Sequence, residues 1–196
     1  MSDRDDLYHG LPGLLPPGEK LLWQGKPDWV PLARRAFLGG PVALFFAALA
    51  AVRVAAGISD GAPATEVALG VIWILLVGAA ALAVLGALAW ATARATIYSV
   101  TTRRVVMRIG AALSLSVNVP FKKVAAATFR PLPGGRGEIA LEVGGDERFG
   151  YWMLWPHARP WRLGRPQPML RCLPDAAHVA KLIGDVLGCV DVAAED

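Results

Sequence analysis

Residues 154–162, LWPHARPWR, crowd two Trp, two Pro, two Arg and one His into nine positions. His157 is the group there with reactive potential, since an imidazole moves protons near neutral pH or ligates a metal. Either task needs partners. His9, His157 and His178 fall on separate segments, and none stands at HExxH or another paired-ligand spacing. No Ser lies in a nucleophile elbow, no Gly-rich loop carries a phosphate-binding Lys, and the acidic residues are scattered. GLPGLLPPG, residues 10–18, is broken by Pro residues that have no N–H to offer a phosphate. The sequence therefore predicts no catalytic residue, no metal site and no cofactor, and an enzyme is not expected.

Contact is the chemistry that remains. Trp155, His157, Arg159, Trp161, Arg162 and Arg165 form a candidate partner-binding set. Trp and Arg are enriched in binding hot spots, and Pro156 and Pro160 limit the ordering entropy lost on binding. Two other roles stay open for the same stretch. Trp155 and Trp161 could cover the end of a strand layer while the Arg residues stay solvated, or the stretch could meet lipid headgroups. Charge favours an anionic surface in either contact role: residues 155–171 hold four Arg and no acid, and residues 94–196 hold 14 Lys or Arg against 9 Asp or Glu.

The elements that must position this stretch begin in lipid. Hydrophobic residues are 55% of the chain and charged residues 18%, an apolar balance for a soluble protein of 196 residues. Residues 67–93 carry no charge, and as a helix this run spans roughly 40 Å against a hydrocarbon core of about 30 Å. A first run, 36–58, reaches spanning length if Arg53 extends to the headgroups. It follows 35 residues rich in Pro and charge, which does not suit a cleaved signal peptide.

The loop between the runs, SDGAPATE at 59–66, has two acids and no base, whereas Arg34, Arg35, Arg94, Arg103, Arg104 and Arg108 flank the other ends. The positive-inside rule then predicts both termini in the cytoplasm. The expected organisation is a cytoplasmic segment at 1–35, a transmembrane hairpin at 36–93 and a cytoplasmic domain at 94–196. In that reducing compartment Cys172 and Cys189 are expected as structural thiols. Trp73 and Trp90, about 26 Å apart along a helix, suit anchors at the two interfaces.

In lipid, helices associate through close packing of small residues. Gly39, Ala43, Ala47, Ala51 and Ala55 recur at steps of four on the first span, and Ala79, Ala83, Ala87 and Ala91 on the second. These stripes are candidate packing faces for closing the hairpin, for pairing with a second copy or for another membrane protein. An Ala-rich chain also produces such stripes by composition alone.

From residue 95 the texture changes to short alternating runs. Strands are expected at 95–100, 104–110, 113–119, 124–129, 138–143 and 148–154, with turn signals in TTRR, PLPGGRG and GGD. Six short strands at hairpin spacing predict a small antiparallel β barrel or sandwich. Val179, Leu182, Ile183, Val186 and Leu187 then predict a C-terminal α-helix, started near Asp175, that plugs one end of the strands.

The run IYSVTTRRVVMRIG, residues 97–110, preceded by the apolar hairpin and followed by a bent sheet and a late helix, resembles the bacterial PH-like domain proteins. LPPGEKLLWQGKPDW, residues 15–29, is similar to the lead-in of that group. RRAF, TTRRVVMRIG, LWPHARPWR and PQPMLRCLPDAAHVA together resemble the PuhB-type photosynthetic complex (reaction-centre) assembly proteins of purple bacteria, over nearly the whole chain.

That resemblance implies a non-enzymatic assembly factor of the intracytoplasmic (bacterial inner) membrane that helps build the photosynthetic reaction centre and its light-harvesting antenna by protein–protein contact. It implies reaction-centre or antenna subunits and other assembly factors as partners, and a homodimer. An axial ligand to a bacteriochlorophyll magnesium is one further task for His157, but pigment proteins usually supply that His from within a span, and neither span has one. The alternative from another class is a membrane-anchored PH-like module that binds anionic lipid headgroups. Nucleic acid is not expected as a partner of a membrane-anchored chain without a reader motif.

Overall fold

The computed structural model describes residues 11, 15–110, 115–144 and 150–188. The chain divides into two units, Met1–Trp29 with Ala91–Asp196 and Val30–Trp90.

The helical unit follows from the two apolar runs. After a short helix, α1 (Trp29–Arg35), come α2 (Gly39–Ser59) and α3 (Ala64–Ala95), each long and apolar enough to cross a membrane. Their bounds lie within three residues of the predicted runs. Gly61 ends α2: it takes φ 65, which glycine adopts without a Cβ clash, and the Ala62 N–H bonds back to the Gly57 carbonyl at 2.9 Å.

The seam between α2 and α3 is built on residues other than the small-residue stripes. Ala50 and Gly57 are buried on α2 and Gly78 on α3, whereas Ala43, Ala47, Ala51, Ala55, Ala79, Ala83 and Ala87 are exposed and Gly39 is half-buried. The reason is the bulk that must be seated. A Cβ at Gly78 would come within 2.8 Å of the Phe46 ring, and one at Gly70 within 2.7 Å of Arg53 Nε. The Val67 side chain likewise lies against Gly57. Bare backbone at three glycines closes the hairpin, and the alanine stripes face away from it. Arg53 turns toward the loop, its Nη2 3.6 Å from Glu66 Oε1.

The second unit is a pair of antiparallel sheets. β1 (Leu21–Gly25), β2 (Ile97–Thr101), β3 (Arg104–Ile109) and β4 (Leu115–Pro120) form one sheet in that order. β5 (Val124–Pro131), β6 (Gly137–Val143) and β7 (Met169–Leu173) form the other. Period-2 alternation sets the inward faces: Val105 and Met107 on β3 and Val117 and Val119 on β4 enter one shared core with Ile139, Leu141 and Leu170 of the second sheet. The arrangement is a sandwich, and the barrel does not close. Between β6 and β7 lies a single helical turn, α4 (Tyr151–Leu154), and after β7 comes α5 (Ala176–Leu187). Val179 and Ile183 of α5 are buried in the same core, and the helix packs on β5 and β6. Asp175 occupies its cap position without a side-chain capping bond.

Two predictions need correction here. A strand was expected at 148–154; residues 148 and 149 lie outside the described residues, and Tyr151–Leu154 is helical, with the Trp155 N–H bonded to the Tyr151 carbonyl at 2.9 Å. Its place beside β6 is taken by β7, paired Ile139 to Leu170. The lead-in is also more than a separate segment, since β1 pairs with β2, Gly25 opposite Tyr98. The sandwich is therefore larger than residues 94–196. The Trp23 indole lies over Gly25, where any Cβ would collide with the ring.

Candidate functional site

Three segments distant in sequence meet at His157, which is fully buried. Thr96 and Tyr98 come from the junction of α3 and β2, His157 from the chain after α4, and Arg171 from β7. Their hydrogen bonds run in one direction. The Thr92 carbonyl can only accept, so the Thr96 hydroxyl donates to it at 2.7 Å. Thr96 Oγ1 must then accept from the His157 Nε2–H at 3.1 Å, leaving Nδ1 to accept from the Tyr98 hydroxyl at 2.6 Å. Tyr98 in turn accepts the Arg171 backbone N–H at 3.2 Å.

This order assigns His157 as the neutral Nε2–H tautomer. Burial, reinforced by the nearby Arg171 charge, pushes its pKa down to about 3. Burial likewise raises the Tyr98 hydroxyl far above its ordinary range, so it stays a neutral donor. With both ring nitrogens engaged, His157 has no lone pair free for a metal or a pigment. It also cannot touch a partner, which removes it from the predicted contact set.

Behind this chain of bonds sits a buried ion pair. Arg171 Nε lies 3.1 Å from Glu138 Oε1, with 6% and 3% of the side chains exposed, and Arg171 Nη1 donates to the Pro156 carbonyl at 3.1 Å. A buried charge persists only when paired and hydrogen-bonded, and both partners meet that condition across neighbouring strands β6 and β7. A second pair secures the lead-in. Glu19 accepts two bonds from Arg104, at 2.9 and 3.1 Å, and one from the Thr101 hydroxyl at 2.7 Å. Burial alone would raise this carboxyl; the bonds and the Arg104 and Arg103 charges outweigh it and hold the pKa below its ordinary value. Asp28 bonds Arg136 at 2.6 Å and its N–H bonds the Cys172 carbonyl at 2.8 Å, tying the end of the same segment to the second sheet.

The other predicted contact residues lie on a loop rooted in this core. Ala158 and Pro168 form an antiparallel bridge, flanked by Met169 N–H to the His157 carbonyl at 2.8 Å and Arg159 N–H to the Gln167 carbonyl at 2.9 Å. Arg159 Nη1 also reaches Gln167 Oε1 at 3.2 Å and is half-buried. Beyond that base, Trp161, Arg162, Leu163 and Arg165 are exposed, and Trp155 is exposed just before it. Trp161 is 93% exposed and sits at φ 64, a left-handed conformation that costs a non-glycine residue about 1 kcal/mol or more. It covers no strand end.

Sequence reasoning missed Thr96, Tyr98, Glu138 and Arg171, and also Trp152, Met153 and Leu163, apolar side chains exposed beside the predicted set. One signal was present: an Arg inside the otherwise apolar run MLRCL. Among the described residues no three His, Cys, Asp or Glu side chains converge as a metal centre requires. His178 is exposed on α5, Cys172 is a buried thiol directed at Glu138 Oε1 at 3.9 Å, and His9 and Cys189 lie outside the described residues.

A protein of Rhodobacter capsulatus described as an uncharacterized 23.7 kDa protein in the 5' region of puhA is 39% identical over 189 residues, covering 94% of this chain and 88% of that protein. No solved structure matches the chain. Residues 42–186 match the family described as the Bacterial PH domain, a range that takes in nearly all of both long helices, strands β2 to β7 and most of α5. By that match, the chain belongs to the bacterial PH domain family.

Proposed function

We propose that the chain is a non-enzymatic, membrane-bound assembly factor for a photosynthetic reaction centre and its light-harvesting core, of the PuhB type. The observation that supports this reading is the Rhodobacter capsulatus relative described as lying in the 5' region of puhA, which is similar over 94% of this chain. In this reading α2 and α3 cross the inner, intracytoplasmic membrane as a hairpin. The acidic loop is outside, and the Arg-flanked ends, with both termini, are in the cytoplasm.

The protein contact is made in the bilayer. The outward alanine faces, with Ala43, Ala47 and Ala51 on α2 and Ala79, Ala83 and Ala87 on α3, let a partner's helix approach backbone to backbone, where dispersion contacts substitute for the hydrophobic drive that lipid removes. Reaction-centre or antenna subunits, other assembly factors and a second copy all offer such helices.

Affinity purification of the tagged full chain from phototrophically grown membranes tests the proposal. Reaction-centre or antenna subunits are expected in the eluate, and their recovery is expected to fall several-fold when Ala47→Leu and Ala83→Leu roughen both faces. An eluate without photosynthetic subunits would overturn it.

A further inference from the structure

The loop at residues 160–166 combines features that water alone does not account for. Trp161 and Leu163 at its tip are 93% and 66% exposed, Trp152 beside its root is 84% exposed, and Arg162 and Arg165 alternate with the tip residues. No acid occurs anywhere in residues 155–171. The loop is held rather than free, closed at its base by the Ala158–Pro168 bridge and the bonds between Arg159 and Gln167.

Its root is also bonded to the chain just past the uncharged run. His157 bonds Thr96, and Thr96 lies three residues, or about 5 Å of helical rise, beyond Ala93, where the uncharged run ends. From Ala158, three residues reach at most about 10 Å, so the loop tip stays tethered to the stretch of chain that follows the apolar run. The headgroup region of one leaflet is about 5–8 Å thick, the same scale.

We infer that this loop seats in the headgroup region of an anionic bilayer, with Trp161 and Leu163 at the acyl boundary and Arg162 and Arg165 on lipid phosphates. Trp prefers that boundary because its ring is apolar and its N–H polar. Guanidinium matches phosphate geometry and remains charged there. An acidic protein face would match the arginines, but it gives no reason for two exposed apolar residues at the tip between them. The inference rests on α2 and α3 crossing the membrane, and it concerns a different surface from the alanine faces.

The test uses the full chain in nanodiscs containing phosphatidylglycerol, with Cys189→Ser as background and single nitroxide labels at Trp161→Cys or Leu163→Cys. Lys122→Cys, exposed beyond β4 at the opposite end of the first sheet, serves as the aqueous control. Leu76→Cys, exposed on α3, reports whether the hairpin itself is in lipid. The ratio of oxygen to nickel-chelate accessibility is expected to be several-fold higher at both loop positions than at Lys122→Cys. It is expected to fall toward the control when Arg162→Ala and Arg165→Ala are combined or phosphatidylglycerol is replaced by phosphatidylcholine.

Control-like accessibility at both loop positions overturns the inference. So does protection that arises only after reaction centres are added, which would assign the loop to a protein partner. A nickel-accessible Leu76→Cys overturns it together with the spanning hairpin. A failed co-purification with protected loop labels would count against the assembly reading alone.

Discussion

The hairpin and the sandwich are held together by opposite means. Only 6% of the most apolar stretch of each long helix is buried, and the α2–α3 seam depends on glycines that let Phe46, Arg53 and Val67 settle on bare backbone. In the sandwich, β2 and β7 are buried along their whole length, and charge itself is buried: Arg171 with Glu138, Glu19 with Arg104. A hairpin in lipid gains little from hiding apolar side chains and must rely on fit. A sandwich in water gains from burial and must then partner every polar group it has taken in. Damage should follow the same division, large where a buried charge loses its partner and small where a side chain already faces outward.

The largest effect is expected at Arg171. Arg171→Met leaves Glu138 buried without its cation and releases the Pro156 carbonyl, which should cost about 3–5 kcal/mol. Denaturant unfolding followed by near-ultraviolet circular dichroism measures it, with the helical signal of α2 and α3 persisting past the sandwich transition. Arg171→Met combined with Glu138→Leu should recover most of the loss, because a paired charge replaced by two apolar groups is often neutral. A double variant as unstable as the single one would show that the ion pair is not the origin of the loss.

Next comes the seam. Gly78→Val presses on the Phe46 ring at the point of closest approach and should destabilise the hairpin by about 1–3 kcal/mol, as overpacking does elsewhere. Ala47→Val, on the outward face of the same hairpin, should change it by less than about 0.5 kcal/mol. Detergent titration of the helical signal separates the two. Equal effects would mean that the alanine stripe, and not the glycines, closes the hairpin.

A smaller effect is expected from pH. His157 has its pKa depressed in the fold, so the unfolded chain takes up a proton first as pH falls below about 6.5, and the fold loses stability at up to about 1–2 kcal/mol per pH unit. Above that pH the residue contributes no slope. Glu19 has its carboxyl pKa held below its ordinary value of 4.5, so its contribution is present above that pH and lost as pH falls further; the window from about 6.5 to 4.5 therefore separates His157 from Glu19. His157→Gln should lower stability overall yet flatten the profile in that window. An unchanged slope would trace the pH dependence to another group.

Legibility in the sequence divides along physical lines. Val105 with Met107 and Val117 with Val119 alternate at the strand period, and the stripe of α5 repeats at the helical one, so those elements could be read. β1 and β7 could not. LLWQG resembles a lead-in until its pairing with β2 is known, and MLRCL is interrupted by an Arg whose partner sits 33 positions earlier. Periodicity records which face is apolar and is silent on long-range charge pairs. His157 shows this most clearly: its neighbours Thr96 and Tyr98 are 61 and 59 residues away, so an imidazole beside Arg and Trp read as a contact residue although it is fully buried. The alanine stripes were visible as stripes, but the side they face depends on where Phe46 and Arg53 needed room.

Within the loop stretch the same contrast narrows to residues seven positions apart. Leu154 is fully buried at the end of α4, and Leu154→Ala should cost about 2–5 kcal/mol. Trp161 has far more apolar surface but buries almost none of it, so Trp161→Ala should shift stability by no more than about 0.5 kcal/mol in either direction. Thermal unfolding of both variants in detergent, away from a bilayer, checks the pair. The informative outcome is a Trp161→Ala variant that keeps its fold yet, if the loop meets lipid as inferred, loses the salt-insensitive, apolar part of that contact while the salt-sensitive part owed to Arg162 and Arg165 stays. A residue of that size, held outward at φ 64 by a closed loop base, would then owe its place to the surface it meets and nothing to the core beneath it.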